Sequence, residues 1–186
     1  MTQRAWVIGV DVGGTKIATA AVDPVTAEVL FRRQIETRAE RPAAEIVADI
    51  AEEIETVVAE LGSAGERAFA VGVGVPELVS PAGEILTDFL LDWDSAPLPH
   101  EIASLPLHIA SDVRAAAVAE ARFGAGRDFL NFVYVSVGTG ISSTLVIDGA
   151  PFAGARGGAV VLSTAPISVP DGHGGWIRFV LEEYAS

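Results

Sequence analysis

The residues best suited to chemistry lie in the stretch "GVDVGGTKIATAAVD", residues 9–23. An apolar run enters a Gly-Gly-Thr-Lys turn there, and a second apolar run leaves it. Gly13 and Gly14 allow a ligand to approach the backbone with N–H groups turned toward it. Thr15 offers a hydroxyl, and Lys16 offers a point charge for phosphate oxygens. Asp11, just ahead of the glycines, would repel phosphate by itself. Its placement makes sense with a Mg2+ ion between the two, held directly or through water. The spacing is not Gly-x-x-x-x-Gly-Lys-Ser/Thr and no helix follows, which excludes a Walker loop. Taken alone, the stretch reads equally well as a plain hairpin whose glycines supply positive φ.

A second candidate is Asp112 in "SDVRAAAVAEARFG", at the handover from a strand to a helix. It could cap the helix, the ordinary task of Asp at that place, or act as a general base toward a substrate hydroxyl. Ser111 is able to cap instead, which leaves Asp112 for chemistry. The third candidate, "FVYVSVGTGISSTLVIDG" at residues 132–149, repeats the logic of the first. A strand enters the turn Gly138-Thr139-Gly140, another strand leaves, and an Asp closes it. Gly13 to Asp23 and Gly138 to Asp148 have the same separation. Two such units suggest an internal duplication able to grip a chain of phosphates from both sides.

The remaining titratable residues read as structural. His108, inside an apolar strand, is expected to be packed rather than to bind a ligand. His173, in "DGHGGW", has no Cys or His nearby to complete a metal site. The acids of "EIVADIAEEIE" are expected on the solvated face of a helix.

These residues need elements to hold them. Residues 5–12, "KIATAAVD" and "AEVLFRRQIET" read as three strands of a meander. "PAAEIVADIAEEIETVVAELG" is the clearest helix, with Ile46, Val47, Ile50, Ile54, Val57, Val58 and Leu61 at helical spacing. Pro42 suits its first turn and Gly62 its end. "AFAVGVGVP" reads as a buried strand, and Glu77 to Leu105 as irregular. "LHIASDVRAAAVAEARFGAG" is a strand followed by a helix that ends near Gly124.

Composition narrows the function classes. The chain has 186 residues, half of them hydrophobic, and a formal charge of −13. That charge speaks against a nucleic-acid footprint, which is normally basic. An acidic protein still binds ATP through local donors or a metal ion. The absence of cysteine excludes disulfides and thiolate metal sites and fits a cytoplasmic location. No apolar stretch approaches the ~20 residues that span a bilayer, and "MTQRAW" leads into a strand without a signal core, so no membrane partner is expected.

Taken in order, "DVGGTK", "SDVRAAAVAEARFG", "VSVGTGISSTLVIDG", "GARGGA" and "LEEYAS" resemble the ROK family of sugar kinases and related repressors, part of the actin-like ATPase superfamily. The resemblance covers essentially the whole chain. It implies an α/β fold of the actin-like ATPase (ribonuclease H-like) type. The N-terminal lobe would be complete over residues 1–108, and a truncated second lobe with the second phosphate hairpin would cover residues 109–186. It further implies ATP as a substrate and Mg2+ as its ion. The phosphate loops would be Gly13, Gly14, Thr15 and Lys16, then Gly138, Thr139 and Gly140. Asp11 would serve the metal and Asp112 would be the catalytic base. The implied reaction is phosphoryl transfer from ATP to a hydroxyl of a sugar-like or cyclitol acceptor.

The sequence departs from the family pattern at several positions. Ser111 and Arg114 stand where the family has Asn on either side of the base, and the second loop reads "GTGISST" where the family has more glycines, so that Ser142 and Ser143 add side chains beside the phosphates. Val161 and Thr164 take the places of a sugar-binding Glu and a zinc-binding His. "HGGWIRFV" lacks the zinc cysteines, and "DFLLDW" lacks a sugar-contacting Asn. Zinc is therefore not expected, and the acceptor is expected to differ from glucose, with a carbasugar or cyclitol suiting Val161. The start at "MTQRAW" leaves no room for a winged helix, so a DNA-binding regulator is not expected. The chain ends at Ser186, ahead of the family's adenosine-holding turn. The alternative reading is an inactive relative that binds a ligand or partner without turnover, which leaves room for a homodimer.

Overall fold

Alternation of apolar residues along the first half of the chain builds one sheet, and helical spacing supplies the helix that covers it. The structure, a computed structural model, describes residues 5–138, 140–159, 162 and 165–185. Contacts divide the chain into two units, Met1–Asp112 and Val113–Ser186.

In the first unit, β1 (Ala5–Val12), β2 (Lys16–Val22) and β3 (Val29–Glu36) form the expected antiparallel meander. After α1 (Ala43–Ser63) come β4 (Arg67–Val75), the short β5 (Glu101–Ile102) and β6 (Leu105–Ser111). The sheet order is β3-β2-β1-β4-β6-β5, with β1, β4 and β6 parallel. One face carries Trp6, Ile8, Val10, Val12, Ile17, Val71 and Val73, all buried together with Ile46, Ile50, Ile54, Val57 and Leu61 of α1. Each such side chain contributes roughly 1.5–3 kcal/mol by leaving water. That apolar stripe, more than intrinsic propensity, holds α1 in place.

Local details differ from the sequence reading in three places. Pro42 stands just ahead of α1 at the cap position with ψ 135, and the helix runs past Gly62 to Ser63. Glu53, expected on a solvated face, is only 6% exposed. Arg33 reaches it from β3 with two bonds, Nε to Oε2 at 2.9 Å and a terminal nitrogen to Oε1 at 3.2 Å. This pairing holds the Arg33 guanidinium above its ordinary pKa. His108 is exposed rather than packed. Leu107 and Ile109 on either side pack against the core, so strand alternation turns His108 outward.

The second unit takes α2 (Asp112–Phe123) from its second residue onward. It adds β7 (Phe132–Val137), β8 (Ile141–Ile147) and β9 (Ala150–Pro151) in an antiparallel sheet of that order. A separate hairpin of β10 (Pro166–Pro170) and β11 (Trp176–Val180) leads into α3 (Leu181–Ala185). Among the described residues, no helix is long and apolar enough to cross a membrane.

Candidate active site

Three parallel strands end together at one edge of the six-stranded sheet, and the first two candidate groups lie at that edge. Asp11 pairs with Gly74 of β4, and Gly74 pairs with Ala110 of β6. The next residues of β6 and α2 are Ser111 and Asp112. This is the carboxyl end of the parallel strands, where open α/β sheets bind their ligands. Asp112 lies against Gly74: a Cβ built on Gly74 would be in ordinary van der Waals contact, 3.5 Å from the Asp112 Cα and 3.8 Å from its Cβ. Asp112 is the first residue of α2, so Ser111 takes the cap position. The two are joined by a long 3.5 Å hydrogen bond from Ser111 Oγ to Asp112 Oδ1.

The Gly-Gly-Thr-Lys turn closes with the Gly13 N–H donating to the Lys16 carbonyl at 2.9 Å. Thr37, one residue past β3, braces it from the side. Its hydroxyl donates to the Gly13 carbonyl at 2.5 Å, and its N–H donates to the Thr15 carbonyl at 3.0 Å. The register that pairs Lys16 with Glu36 places Thr37 there. The turn is thereby fixed while Asp11, Gly14, Thr15 and Lys16 remain exposed. Neither Gly13 nor Gly14 has a positive φ. A left-handed backbone therefore does not explain these glycines, but the tight turn does at Gly13, where a Cβ would stand 3.3 Å from the Lys16 carbonyl oxygen; at Gly14 the nearest atom would be Leu90 Cδ1 at 3.5 Å.

The second turn is not an equal copy of the first. Val137 pairs with Ile141 around three residues, whereas Val12 pairs with Ile17 around four. Gly138 donates to the Gly140 carbonyl at 2.9 Å. A Cβ on Gly138 would meet nothing within 4 Å, and its φ is not positive. At the exit of the turn, the Ile141 N–H donates to Glu182 Oε2 of α3 at 2.7 Å. A Cβ on Gly140 would stand 2.7 Å from that same oxygen, so Gly140 admits the carboxylate. Thr139, Val161 and Thr164 lie outside the described residues.

Sequence reasoning missed three residues here. Thr37 could have been found from the register of β2 on β3. Glu182 sits inside "LEEYAS", yet no spacing links it to a turn 41 residues earlier. Glu77, two residues past the end of β4, is a carboxylate only 2% exposed that accepts four hydrogen bonds. Arg114, at an expected Asn position, is held below its ordinary pKa by burial. A groove of about 430 Å³ elsewhere in the first unit is lined by Trp93, Asp94, His100 and His108. Among the described residues, no group of three or more His, Asp or Glu is placed to hold a metal ion.

Residues 7–162 match the ROK family. The chain belongs to the ROK family. ROK relatives include a glucokinase of Streptomyces coelicolor, 31% identical over 144 residues, covering 75% of this chain and 43% of that protein. They also include a xylose repressor of Caldicellulosiruptor bescii, 26% identical over 169 residues, covering 89% of this chain and 42% of the repressor. Among solved structures, a ROK glucokinase from Streptomyces griseus in complex with glucose and AMPPNP superimposes with a TM-score of 0.75 at 30% identity. That match covers 89% of this chain and 52% of the glucokinase. The fold class is thus the α/β actin-like ATPase fold of ROK proteins. The chain spans about half the length of the relatives it matches.

Proposed function

We infer that the chain takes part in ATP-dependent phosphoryl transfer to a hydroxyl of a sugar-like or cyclitol acceptor. The observation that carries this reading is the first turn. It is braced from the side by Thr37, exposed at Gly14, Thr15 and Lys16, furnished with the Lys16 ammonium, and it shares the sheet edge with Asp112. The sugar kinases among the ROK relatives support the reaction class.

In the proposed step, the acceptor oxygen attacks the γ-phosphorus while its proton passes to the Asp112 carboxylate. The bond from that phosphorus to the β–γ bridging oxygen breaks, and ADP leaves. Backbone N–H groups of the Gly13–Lys16 turn and the Lys16 ammonium stabilise charge on the phosphate oxygens. The exposed carboxylate of Asp11 at the end of β1 is a hard oxygen donor and fits Mg2+, directly or through water. Bound there, the ion supplies charge neutralisation for the phosphates. By the family resemblance, Val161 in place of a sugar-binding Glu suits a carbasugar or cyclitol acceptor.

One observation favours the second reading, a ligand-binding relative without turnover. The second turn already has its exit amide engaged by Glu182. Coupled assays of ADP release over a panel of sugars and cyclitols with MgATP separate the two. For the kinase, Asp112→Asn is expected to lower ADP release by about 10²- to 10⁴-fold while leaving nucleotide affinity by calorimetry unchanged. Nucleotide binding without release on any acceptor supports the binder, and no nucleotide binding at all contradicts the kinase.

A further inference from the structure

We propose that Glu77 is a positioning residue for the first phosphate turn, acting through the loop of residues 86–93. The proposal rests on the reading of that turn as a phosphate site.

A buried carboxylate is stable only if its lone pairs are satisfied, and Glu77 has no cation bonded to it in the network described. Its donors all come from one loop. Oε1 accepts the Leu90 N–H at 2.7 Å and the Trp93 indole N–H at 3.2 Å. Oε2 accepts the Thr87 hydroxyl at 2.6 Å and the Phe89 N–H at 2.9 Å. The Thr87 oxygen itself accepts the Leu78 N–H at 3.0 Å, which leaves its proton for Glu77. Four donors on two oxygens fill the acceptor capacity of an ionised carboxylate. Glutamine cannot replace it, because its amide N–H2 would face two donors in place of one oxygen.

The loop so fixed reaches the turn. Leu90, whose N–H is bound to Glu77, places its Cδ1 where a Cβ on Gly14 would stand only 3.5 Å away. Leu91 and Trp93, the neighbours of that contact, are buried in the core. The turn thus has Thr37 hydrogen-bonded to it on one side and the Leu90 side chain beside Gly14 on another, and the Leu90 backbone is fixed by Glu77. Glu77 lies three residues beyond Gly74, which stands next to Asp112, so the same strand end lies near both the turn and the candidate base. Neither the mechanism above nor a helix or strand in the chain uses this buried acid otherwise.

The test compares Glu77→Gln and Leu90→Ala with Ile54→Val, a core change in α1 away from the loop. Global stability is followed by thermal melting. Amide exchange is followed at Phe89 and Leu90, amide chemical shifts at Gly13–Lys16, and calorimetry measures affinity for magnesium tripolyphosphate. In Glu77→Gln the Phe89 and Leu90 amides are expected to exchange at least ~10-fold faster. The Gly13–Lys16 resonances should shift, and tripolyphosphate affinity should fall about 5-fold or more. Leu90→Ala should weaken affinity in the same direction while leaving the Phe89 amide protected. If Glu77→Gln frees the loop amides, yet its turn resonances and affinity match those of Ile54→Val at equal loss of melting temperature, the role is structural and the proposal is overturned. If the wild-type chain binds no tripolyphosphate, the phosphate reading fails by itself. Unshifted Gly13–Lys16 resonances in Glu77→Gln without ligand would then refute the coupling separately.

Discussion

The first glycine turn spans four residues between paired strands, displays Lys16, and is braced by Thr37. The second spans three, has no lysine, and receives the carboxylate of Glu182 on its exit amide. In sequence the two stretches have the same separation from glycine to closing aspartate, but their turns differ by one residue in the pairing register. The side chains that the rest of each unit brings to the turn set its local charge. The first turn carries the exposed Lys16 together with Asp11 and Glu36, the register partner of Lys16, while at the second the Glu182 carboxylate is bonded to the exit amide. Equal spacing in a sequence thus fixes a hairpin, while the function of its turn depends on what the rest of the unit brings to it.

The contrast can be broken at either turn. Lys16→Ala should have the largest effect, weakening tripolyphosphate binding by about 10- to 100-fold, the range for loss of a charge-assisted contact of roughly 1.5–3 kcal/mol. An isotherm unchanged by this substitution would remove the first turn from the account. Glu182→Gln should act in the opposite direction. Relief of like-charge repulsion on the order of 1 kcal/mol should raise anion affinity at the second turn by about 3- to 10-fold, read from the Ile141 amide shift during titration. A drop in affinity would mean that Glu182 organises the turn for its ligand rather than competing with it. The smallest effect on folding is expected for Gly138→Ala, where an added Cβ meets open space. Stability should change by no more than about 0.5 kcal/mol while anion binding weakens. A large loss of melting temperature would return this glycine to a purely structural role.

The parts legible in the sequence were those with short-range periodicity. The meander, α1 and β4 followed from alternation and helical spacing, and the order of strand, Ser111, Asp112 and helix followed from one polar pair after an apolar run. What escaped depends on partners far along the chain. Glu53 reads as a surface acid until Arg33 arrives from β3. Glu77 opens a segment that is irregular by every local sign, yet its donors, 10 to 16 residues onward, give this buried carboxylate four hydrogen bonds. The β10–β11 hairpin and α3 lie in glycine- and proline-broken sequence with no periodic signal, so Glu182 had no visible route to Ile141. His108 was misread because an apolar strand on one covered face still turns every second side chain outward.

The most direct measurement follows backbone amide shifts at both turns in one titration of the chain with magnesium tripolyphosphate. Gly13, Gly14, Thr15 and Lys16 should respond first and saturate together. Gly138 and Ile141 should follow only at higher concentration, and at lower concentration in Glu182→Gln than in the wild type. Saturation of Gly138 and Ile141 while the Gly13–Lys16 amides stay still would contradict the assignment of the first turn as the phosphate site.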